Sequence, residues 1–207
     1  PPYPEDGNAA CYDIEDSSYW FTHRTRCILA LLEKLPPRGT VLDIGGGNGL
    51  VTAALQRAGH NAALLEPGSG AYAARSRGVK NIIHATLEDA GIRPASLGAA
   101  AAFDVVEHIE NDVAFLSTVR DALKPGGRFY CTVPALAWLW SAEDQVAGHF
   151  RRYTFHGLQR SIEAQGLRLR HVAGLTYPLS NLLFPVSEFL VRRAERSKLA
   201  LSAGERT

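Results

Sequence analysis

The sequence has no methionine, few cysteines and no uninterrupted apolar run of membrane-spanning length. Its three cysteines, Cys11, Cys27 and Cys131, are widely spaced and form no C-x-x-C pair, which predicts neither a zinc site nor a disulfide framework. Methionine is missing even at position 1, and we therefore expect the natural chain to begin upstream of Pro1. The polar, proline-rich start does not resemble a secretory signal, so we expect a cytoplasmic protein.

An excess of either charge is also missing. The chain has 22 basic and 21 acidic residues, and its net charge of +1 creates no field that would gather nucleic acid or acidic membranes. Hydrophobic residues make up 46% of the sequence and charged residues 21%, which is typical of a soluble globular protein. The length of 207 residues fits a single domain with a substantial core, and no internal repeat is visible.

Short apolar runs alternate with helical patterns along most of the chain. Strands are predicted at residues 40–44, 62–65, 81–84, 99–103, 128–133 and 167–177. Helices are predicted at residues 19–35, 50–58, 70–77, 112–123 and 155–165. This alternation predicts an α/β fold with a doubly wound, mostly parallel sheet in one domain, and ligands of such sheets bind at the carboxyl ends of the strands.

The two ends of the chain fall outside this pattern. Residues 1–16 are expected to form a flexible leader, and the domain itself is predicted to span residues 17–177. Residues 178–207 carry an apolar helical stripe followed by arginines, interrupted by polar residues and Pro185. Such a segment can pack on its own sheet, lie on a membrane surface as a peripheral contact, or form a homodimer face.

The most informative segment joins the first predicted strand of the sheet to the helix at 50–58. It consists of Asp43, Ile44, Gly45, Gly46, Gly47, Asn48 and Gly49. A strand, a glycine loop and a helix bring backbone N–H groups close to a nucleotide-like ligand. The spacing is G-x-G-x-G, and Leu50 stands where a dinucleotide site would need its third glycine, which speaks against a nicotinamide-dependent oxidoreductase. Asp43 would repel a pyrophosphate but suits a ligand with an ammonium group.

This segment resembles motif I of the class I S-adenosylmethionine (SAM)-dependent methyltransferases, D-x-G-x-G-x-G. The resemblance implies that the loop Gly45–Gly49 passes under the methionine part of SAM, with Asp43 near its amino group. Glu66, followed by Pro67, lies at the tip of the second predicted strand, where a carboxylate can accept hydrogen bonds from both ribose hydroxyls. The sequence thus predicts SAM as the cofactor.

The segment after the third predicted strand resembles the family's adenine-binding G-D-x-E-D motif. Thr86 stands where the family has an aspartate, so the resemblance implies an adenine contact through the backbone of Leu87. Glu88 either joins this site or is an acid favoured at the start of a helix by the helix dipole.

Two further segments resemble parts of the same family. Phe103, Asp104 and Val105 begin a run similar to the family's D-V-L-E-H-I segment, which implies that they line the methionine end of SAM. His108, in the same run, would stand at the rim of the pocket near the acceptor or would fix the loop.

The helical segment before motif I resembles the W-F-x-x-R helix of a subgroup that includes sugar-, lipid- and quinone-modifying methyltransferases. By this resemblance Arg24 would reach the SAM carboxylate, and Trp20 or Phe21 would cover the adenosine. An amphipathic helix with buried aromatic residues and solvated arginines explains the same pattern.

The connection at residues 141–154 resembles the D…G-H-x-R-R-Y loop of this subgroup, which lies over the active site. Transfer to a hydroxyl requires a group that takes its proton, and histidine suits this task because its ordinary pKa is near neutrality. His149 is therefore the predicted general base, with Asp144 orienting it. Arg152 and Tyr153 are predicted to hold an acidic or hydroxylated acceptor, unless the arginines only pair with loop acids.

Together these features predict a SAM-dependent methyltransferase that acts on a small or lipid-linked acceptor. In-line displacement onto a hydroxyl group is the favoured reaction, and it needs orientation of the two reactants but no metal. N- or C-methylation and a SAM-binding protein without catalysis are the alternatives, and no nucleic-acid partner is expected.

Overall fold

The structure is a computed structural model in which residues 12–175 are described. The chain divides into a compact unit, Pro1–Leu169, and a second unit, Arg170–Thr207. Residues 1–11 of the predicted leader, and the predicted amphipathic segment 178–207, lie outside the described residues. Residues 12–15, which were expected to be flexible, form a helical turn.

Five parallel strands form the sheet of the described region, in the order β3-β2-β1-β4-β5. The strands are β1 (Val41–Ile44), β2 (Ala62–Leu65), β3 (Ile82–Ile83), β4 (Leu97–Phe103) and β5 (Leu123–Thr132). The strand order reverses between β1 and β4, so a topological switch point lies at their carboxyl ends. The predicted doubly wound α/β fold is confirmed.

Besides the helical turn at residues 12–15, six helices precede, connect or follow these strands within the described region. They are α1 (Tyr19–Lys34), α2 (Leu50–Arg57), α3 (Gly70–Ser76), α4 (Asp112–Ala122), α5 (Ala142–Val146) and α6 (Phe155–Ala164). Helix α6 starts where the sequence provides a cap, because the Thr154 side chain accepts a hydrogen bond of 3.1 Å from the Gly157 N–H. Short 3₁₀ turns occupy Val106–His108 and Ala137–Leu139.

Small residues in β4 allow the helical layers to approach the centre of the sheet. The alanines at 99–102 are fully buried. On one face β4 packs with Ile28 and Leu32 of α1, and on the other with Leu116 and Val119 of α4. Both layers therefore rest on a central strand with little side-chain volume, as expected of a parallel strand covered on both faces.

The predicted sixth strand is wrong over its described part. Residues 167–175 form no strand, although Leu167 and Leu169 are half-buried against the core while Arg168 and Arg170 are exposed. Alternation of apolar and polar residues sets which side chains face inward, but a strand also needs a hydrogen-bonded neighbour, and the alternation does not provide one.

No helix within residues 12–175 combines the length and the apolar character needed to cross a membrane.

Candidate functional site

The glycine loop follows β1 and lies tightly against the sheet. Gly45, Gly47 and Gly49 have φ angles of 67°, 53° and 73°, in the left-handed region that favours glycine. A Cβ atom at Gly46 would lie 2.6 Å from Leu64 Cδ1 and 2.7 Å from the Asp43 carboxylate. Larger side chains are therefore excluded by the backbone path as well as by the available space.

Asp43 is fully buried beneath this loop. Its Oδ2 accepts a hydrogen bond of 2.6 Å from the Thr52 hydroxyl, and its Oδ1 has no partner among the described residues. Burial raises the pKa of Asp43 from 3.8 to about 6, although Thr52 and Arg24 act in the opposite direction. A buried acceptor without a partner is costly, and a cationic ligand group would satisfy it.

Glu66, at the end of β2, holds the glycine loop and the turn that follows β2. Its two carboxylate oxygens accept hydrogen bonds of 2.8 Å from the N–H groups of Gly47 and Gly68. The next residue, Pro67, contributes its carbonyl, which lies 2.9 Å from His84 Nε2. Because each carboxylate oxygen has more than one acceptor position, Glu66 can still accept ribose hydroxyls.

The predicted adenine segment forms a turn after β3. The Thr86 hydroxyl donates to Asp89 at 2.7 Å and accepts from the Asp89 N–H at 3.2 Å. Leu87 is buried in the core, and Glu88 is exposed. The side chain of Thr86 therefore stabilises its own turn.

Asp104, directly after β4, is held from two sides in a strained conformation. Its φ angle is 56°, its carboxylate accepts a hydrogen bond from the Thr132 hydroxyl at 2.7 Å, and it forms an ion pair with Arg24, whose Nε lies 2.6 Å away. Arg24, which is buried, also donates to the Phe103 carbonyl at 3.0 Å. Strained residues kept by such contacts are concentrated at functional sites. Val105, the next residue, packs beside Gly45.

In the structure Arg24 thus contacts Asp104 rather than an open pocket. Among the aromatic residues predicted to cover adenosine, Trp20 is 43% exposed and Phe21 is half-buried. The buried ring of Phe103 packs in the core cluster beneath α1. Helix α1 is therefore tied to the carboxyl end of β4 by one arginine.

Sequence reasoning missed the contacts of the turn at 12–15. Glu15 pairs with Arg77 at 2.7 Å, and its other oxygen lies 3.4 Å from the side-chain nitrogen of Asn48 in the glycine loop. Arg77 also pairs with Asp16 and stacks over the Tyr12 ring. No short-range pattern links residues this far apart in sequence, so the ion pair could not be predicted.

Gly70 was also missed. A Cβ atom there would lie 2.7 Å from the backbone carbon of Gly47, so the start of α3 packs directly on the glycine loop. The sequence did contain a sign of this close packing, because glycine is unfavourable in helices and the predicted helix at 70–77 begins with one.

The buried Asp144 and the half-buried His149 and Arg152 form a hydrogen-bonded group over the carboxyl end of β4. His149 Nδ1 lies 2.7 Å from Asp144 Oδ1, and Arg152 Nε lies 2.8 Å from both Asp144 oxygens. Asp144 also accepts at 2.8 Å from the N–H of Ser141, which forms a capping box at the start of α5. The two predicted catalytic residues therefore meet.

The charge on Asp144 fixes the role of each imidazole nitrogen. Burial opposes ionisation, but hydrogen bonds from His149, the Ser141 N–H and Arg152 hold the pKa of Asp144 below its usual value. An ionised Asp144 accepts from Nδ1–H of His149, which leaves Nε2 as the nitrogen that can take a proton. Arg152 orients Asp144 instead of reaching toward an acceptor.

Tyr153 is not brought to this group. Its ring is buried in the core, and its hydroxyl donates to Asp112 at 2.8 Å. Burial and the neighbouring Asp112 raise the pKa of Tyr153 above its usual value. The hydroxyl anchors the connection 134–153 to the start of α4, a role that its sequence position did not reveal.

His108 lies against His149, with ring centroids 4.7 Å apart in an edge-to-face arrangement. Burial and His149 lower the pKa of His108 to about 4, so this imidazole is neutral at neutral pH. The buried Glu107 completes the group, because one donor or acceptor atom from each of Glu107, His108 and His149 lies within 4.8 Å of the others. Sequence reasoning did not select Glu107.

These features fit SAM in their chemistry. Asp43 offers an unsatisfied buried acceptor, and the glycine loop above it is so closely packed that a Cβ atom at Gly46 or Gly49 would meet neighbouring side chains. The acids around the strand ends favour a cationic sulfonium and ammonium over a pyrophosphate, since Arg24 is already paired with Asp104. A dinucleotide would place its pyrophosphate at the glycine loop, beneath which Asp43 is buried.

The curated proteins similar to this chain include two ubiquinone biosynthesis O-methyltransferases. The ubiquinone biosynthesis O-methyltransferase of Methylobacterium sp. (strain 4-46) is 27% identical over 161 residues, which are 68% of this chain and 65% of that protein. The enzyme of the same name from Parvibaculum lavamentivorans (strain DS-1 / DSM 13023 / NCIMB 13966) is 28% identical, covering 68% of this chain and 63% of that protein. The chain therefore spans slightly less than two thirds of the length of these curated relatives.

Solved structures share the fold at lower identity. The S-adenosylmethionine-dependent methyltransferase of Mesorhizobium loti has a TM-score of 0.60 at 19% identity, covering 84% of this chain and 92% of that chain. The 1,6-didemethyltoxoflavin-N1-methyltransferase of Burkholderia thailandensis, solved with S-adenosylhomocysteine, has a TM-score of 0.60 at 19% identity, covering 84% and 80%. A family model described as a methyltransferase domain matches residues 19–172. The chain thus belongs to the methyltransferase-domain family, and its predicted membership in the class I SAM-dependent methyltransferases is confirmed.

Proposed function

We propose that the protein transfers a methyl group from SAM to a hydroxyl group of a small acceptor. The observation that carries this proposal is the 2.7 Å contact between His149 Nδ1 and Asp144. It supplies an oriented base at the same sheet edge as the glycine loop, since β1 and β4 are parallel neighbours. A hydroxyl needs such a base because it must lose its proton when it is methylated.

When bound, SAM supplies an electrophilic methyl group on a sulfonium, and the protein has to orient the acceptor and move one proton. Asp43, the glycine loop and Glu66 would hold the amino-acid and ribose parts of SAM. Asp104, fixed by Arg24, would border the methionine end. His149 Nε2 would take the hydroxyl proton, and the ionised Asp144 would stabilise the imidazolium that forms.

The acceptor is proposed to be a small or lipid-linked hydroxyl compound. The curated relatives named above are O-methyltransferases of ubiquinone biosynthesis, which supports transfer to oxygen. Large apolar side chains are exposed on the connection 134–153 that carries His149; they include Trp138, which is 71% exposed, and Val146, which is 79% exposed. These support an apolar acceptor. Membrane contact or dimer formation through residues 178–207 stays a prediction from sequence.

The test is release of S-adenosylhomocysteine from SAM in the presence of phenols, catechols, aliphatic alcohols and amines, some carrying long alkyl chains. We expect turnover with hydroxyl compounds. In a His149→Gln variant, kcat should fall by about 100-fold or more because the base is lost, while the affinity for S-adenosylhomocysteine is unchanged.

The matched control is His156→Gln, an exposed histidine of α6, which should keep wild-type turnover. Unchanged turnover in the His149 variant would remove this histidine as the base. Transfer to amines alone would contradict O-methylation, and binding of SAM without transfer to any acceptor would favour a non-catalytic SAM-binding protein.

A further inference from the structure

Glu107 is the buried acid of this site to which neither the sequence nor the proposed reaction gives a role. It lies in the 3₁₀ turn after β4, is 1% exposed, and its Oε2 has no hydrogen-bond partner within the described region. Its backbone carbonyl accepts from the Phe150 N–H at 2.8 Å, which ties this turn to the loop carrying His149. A buried polar atom without a partner requires an explanation.

Two imidazole rings lie near the Glu107 carboxyl group. One nitrogen each of His108 and His149 lies within 4.8 Å of a Glu107 carboxylate oxygen, a separation that a direct contact or a single bridging water can span. His149 Nδ1 is already engaged by Asp144, and the His108 ring interacts with the backbone of Ala147 and Gly148. The Glu107 carboxyl group, whose Oε2 has no partner among residues 12–175, therefore lies next to the two imidazole rings.

The charges facing Glu107 favour its protonated form. Burial and then the Asp104 carboxylate raise the pKa of Glu107 to about 8; its own backbone N–H and Arg24 act against this shift, and Asp144 acts with it. On β5, the Cys131 thiol stays neutral, because burial and then Glu107 and Asp104 raise its pKa to about 12. Glu107 thus carries a proton at neutral pH and loses it in mildly alkaline solution.

We propose that Glu107 is a positioning residue that shares a proton with His149 and so controls when His149 can act as the base. The inference rests on the proposed function. With Glu107 protonated, its O–H donates toward the imidazole pair, directly or through water. It then occupies the lone pair of His149 Nε2, which must receive the acceptor's proton. With Glu107 ionised, that lone pair is free and the carboxylate stabilises the imidazolium.

The proton balance of the step is complete. The acceptor oxygen forms its bond to the methyl carbon, the carbon–sulfur bond breaks with its electron pair on sulfur, and the hydroxyl proton moves to His149. From there it passes to the Glu107 carboxylate and then to solvent. Nothing is oxidised or reduced, and because the groups interact closely, the observed ionisation belongs to the cluster as a whole.

The first experiment needs no acceptor. Protein labelled with ¹⁵N-histidine is titrated by NMR, and the ring signals are assigned with His108→Gln and His149→Gln variants. In the wild type, the ring signals of both histidines should show an inflection near pH 8 that reports Glu107. Glu107→Gln should abolish that inflection, Glu107→Asp should retain one, and Glu110→Gln, an exposed acid of the same segment, should match the wild type.

An inflection that persists in Glu107→Gln, or that is missing from the wild type, would overturn the proposal. The same variants are then compared in methyl transfer. The wild-type kcat should rise with pH through about 8, whereas Glu107→Gln should lose this rise and at least about tenfold in kcat, with an unchanged KM for SAM. Equal pH profiles in the two proteins would refute the proposal.

Two further outcomes separate this inference from other accounts. If the wild type transfers no methyl group to any acceptor, the proposed function fails, while the NMR titration still decides whether Glu107 shares a proton. Activity that is lost with EDTA and restored by one equivalent of Zn²⁺ would show a cation between Glu107 and the histidines, and would overturn proton sharing.

Discussion

Asp43 provides the sharpest test of the electrostatics around the glycine loop, through the substitution Asp43→Asn. The carboxyl group is fully buried, and burial raises its pKa from 3.8 to about 6. Each pK unit corresponds to about 1.4 kcal/mol, so the ionised carboxylate lowers the free energy of unfolding by about 3 kcal/mol above pH 6. Asparagine keeps the shape and an acceptor for Thr52 but does not ionise.

The pH at which Asp43 destabilises the fold follows from the direction of its pKa shift. Because the pKa is raised in the folded protein, the contribution of Asp43 to stability is fully present below its ordinary pKa of 3.8 and is lost as the pH rises through about 6. The difference in unfolding free energy, variant minus wild type, should therefore increase by about 3 kcal/mol in favour of Asp43→Asn between acidic and mildly alkaline pH.

Urea denaturation followed by tryptophan fluorescence, from about pH 4 to about pH 8, measures this difference. The exposed Asp121→Asn is the control, and its difference from the wild type should not change with pH in the same way. The Asn variant should also lose S-adenosylhomocysteine binding, because the ligand's amino group loses its counter-charge. A pH-independent difference, or retained ligand affinity, would refute the reasoning.

Two further substitutions test the contacts that shape the site. Arg24→Ala removes the ion pair with Asp104 and the hydrogen bond to the Phe103 carbonyl, so the free energy of unfolding should fall by about 2 kcal/mol in the same urea assay. The control Arg26→Ala, at an exposed position of the same helix, should have little effect. Gly70→Ala places a Cβ atom 2.7 Å from the Gly47 backbone, so we expect the free energy of unfolding to fall by about 1–3 kcal/mol and S-adenosylhomocysteine to bind more weakly in calorimetry. The control Ser76→Ala, at an exposed position of α3, should change neither. Wild-type stability in either test variant would show that the contact is not needed.

The sheet and the glycine loop could be predicted because their signals are local. Apolar runs of strand length alternate with helical stripes, and the spacing of Gly45, Gly47 and Gly49 after Asp43 specifies a tight turn beneath a ligand. The contact between Asp144 and His149 was also predictable, since the two residues lie on one short connection. In each case a few neighbouring residues contain the information.

The remaining features depend on contacts between distant parts of the chain. The Glu15–Arg77 pair joins the N-terminal turn to the end of α3, and the Arg24–Asp104 pair joins α1 to β4. Tyr153 resembled a binding residue, but its hydroxyl is used by Asp112. Glu107 is distinguished from exposed acids only by its burial and its neighbours, which sequence does not provide.

Titration calorimetry with S-adenosylhomocysteine and NADH tests the central claim most directly. The account predicts that the wild-type protein binds S-adenosylhomocysteine with one-to-one stoichiometry, that Asp43→Ala abolishes this binding, and that NADH does not bind. Binding of NADH without binding of SAM or S-adenosylhomocysteine would contradict the account, because the glycine loop would then hold a dinucleotide.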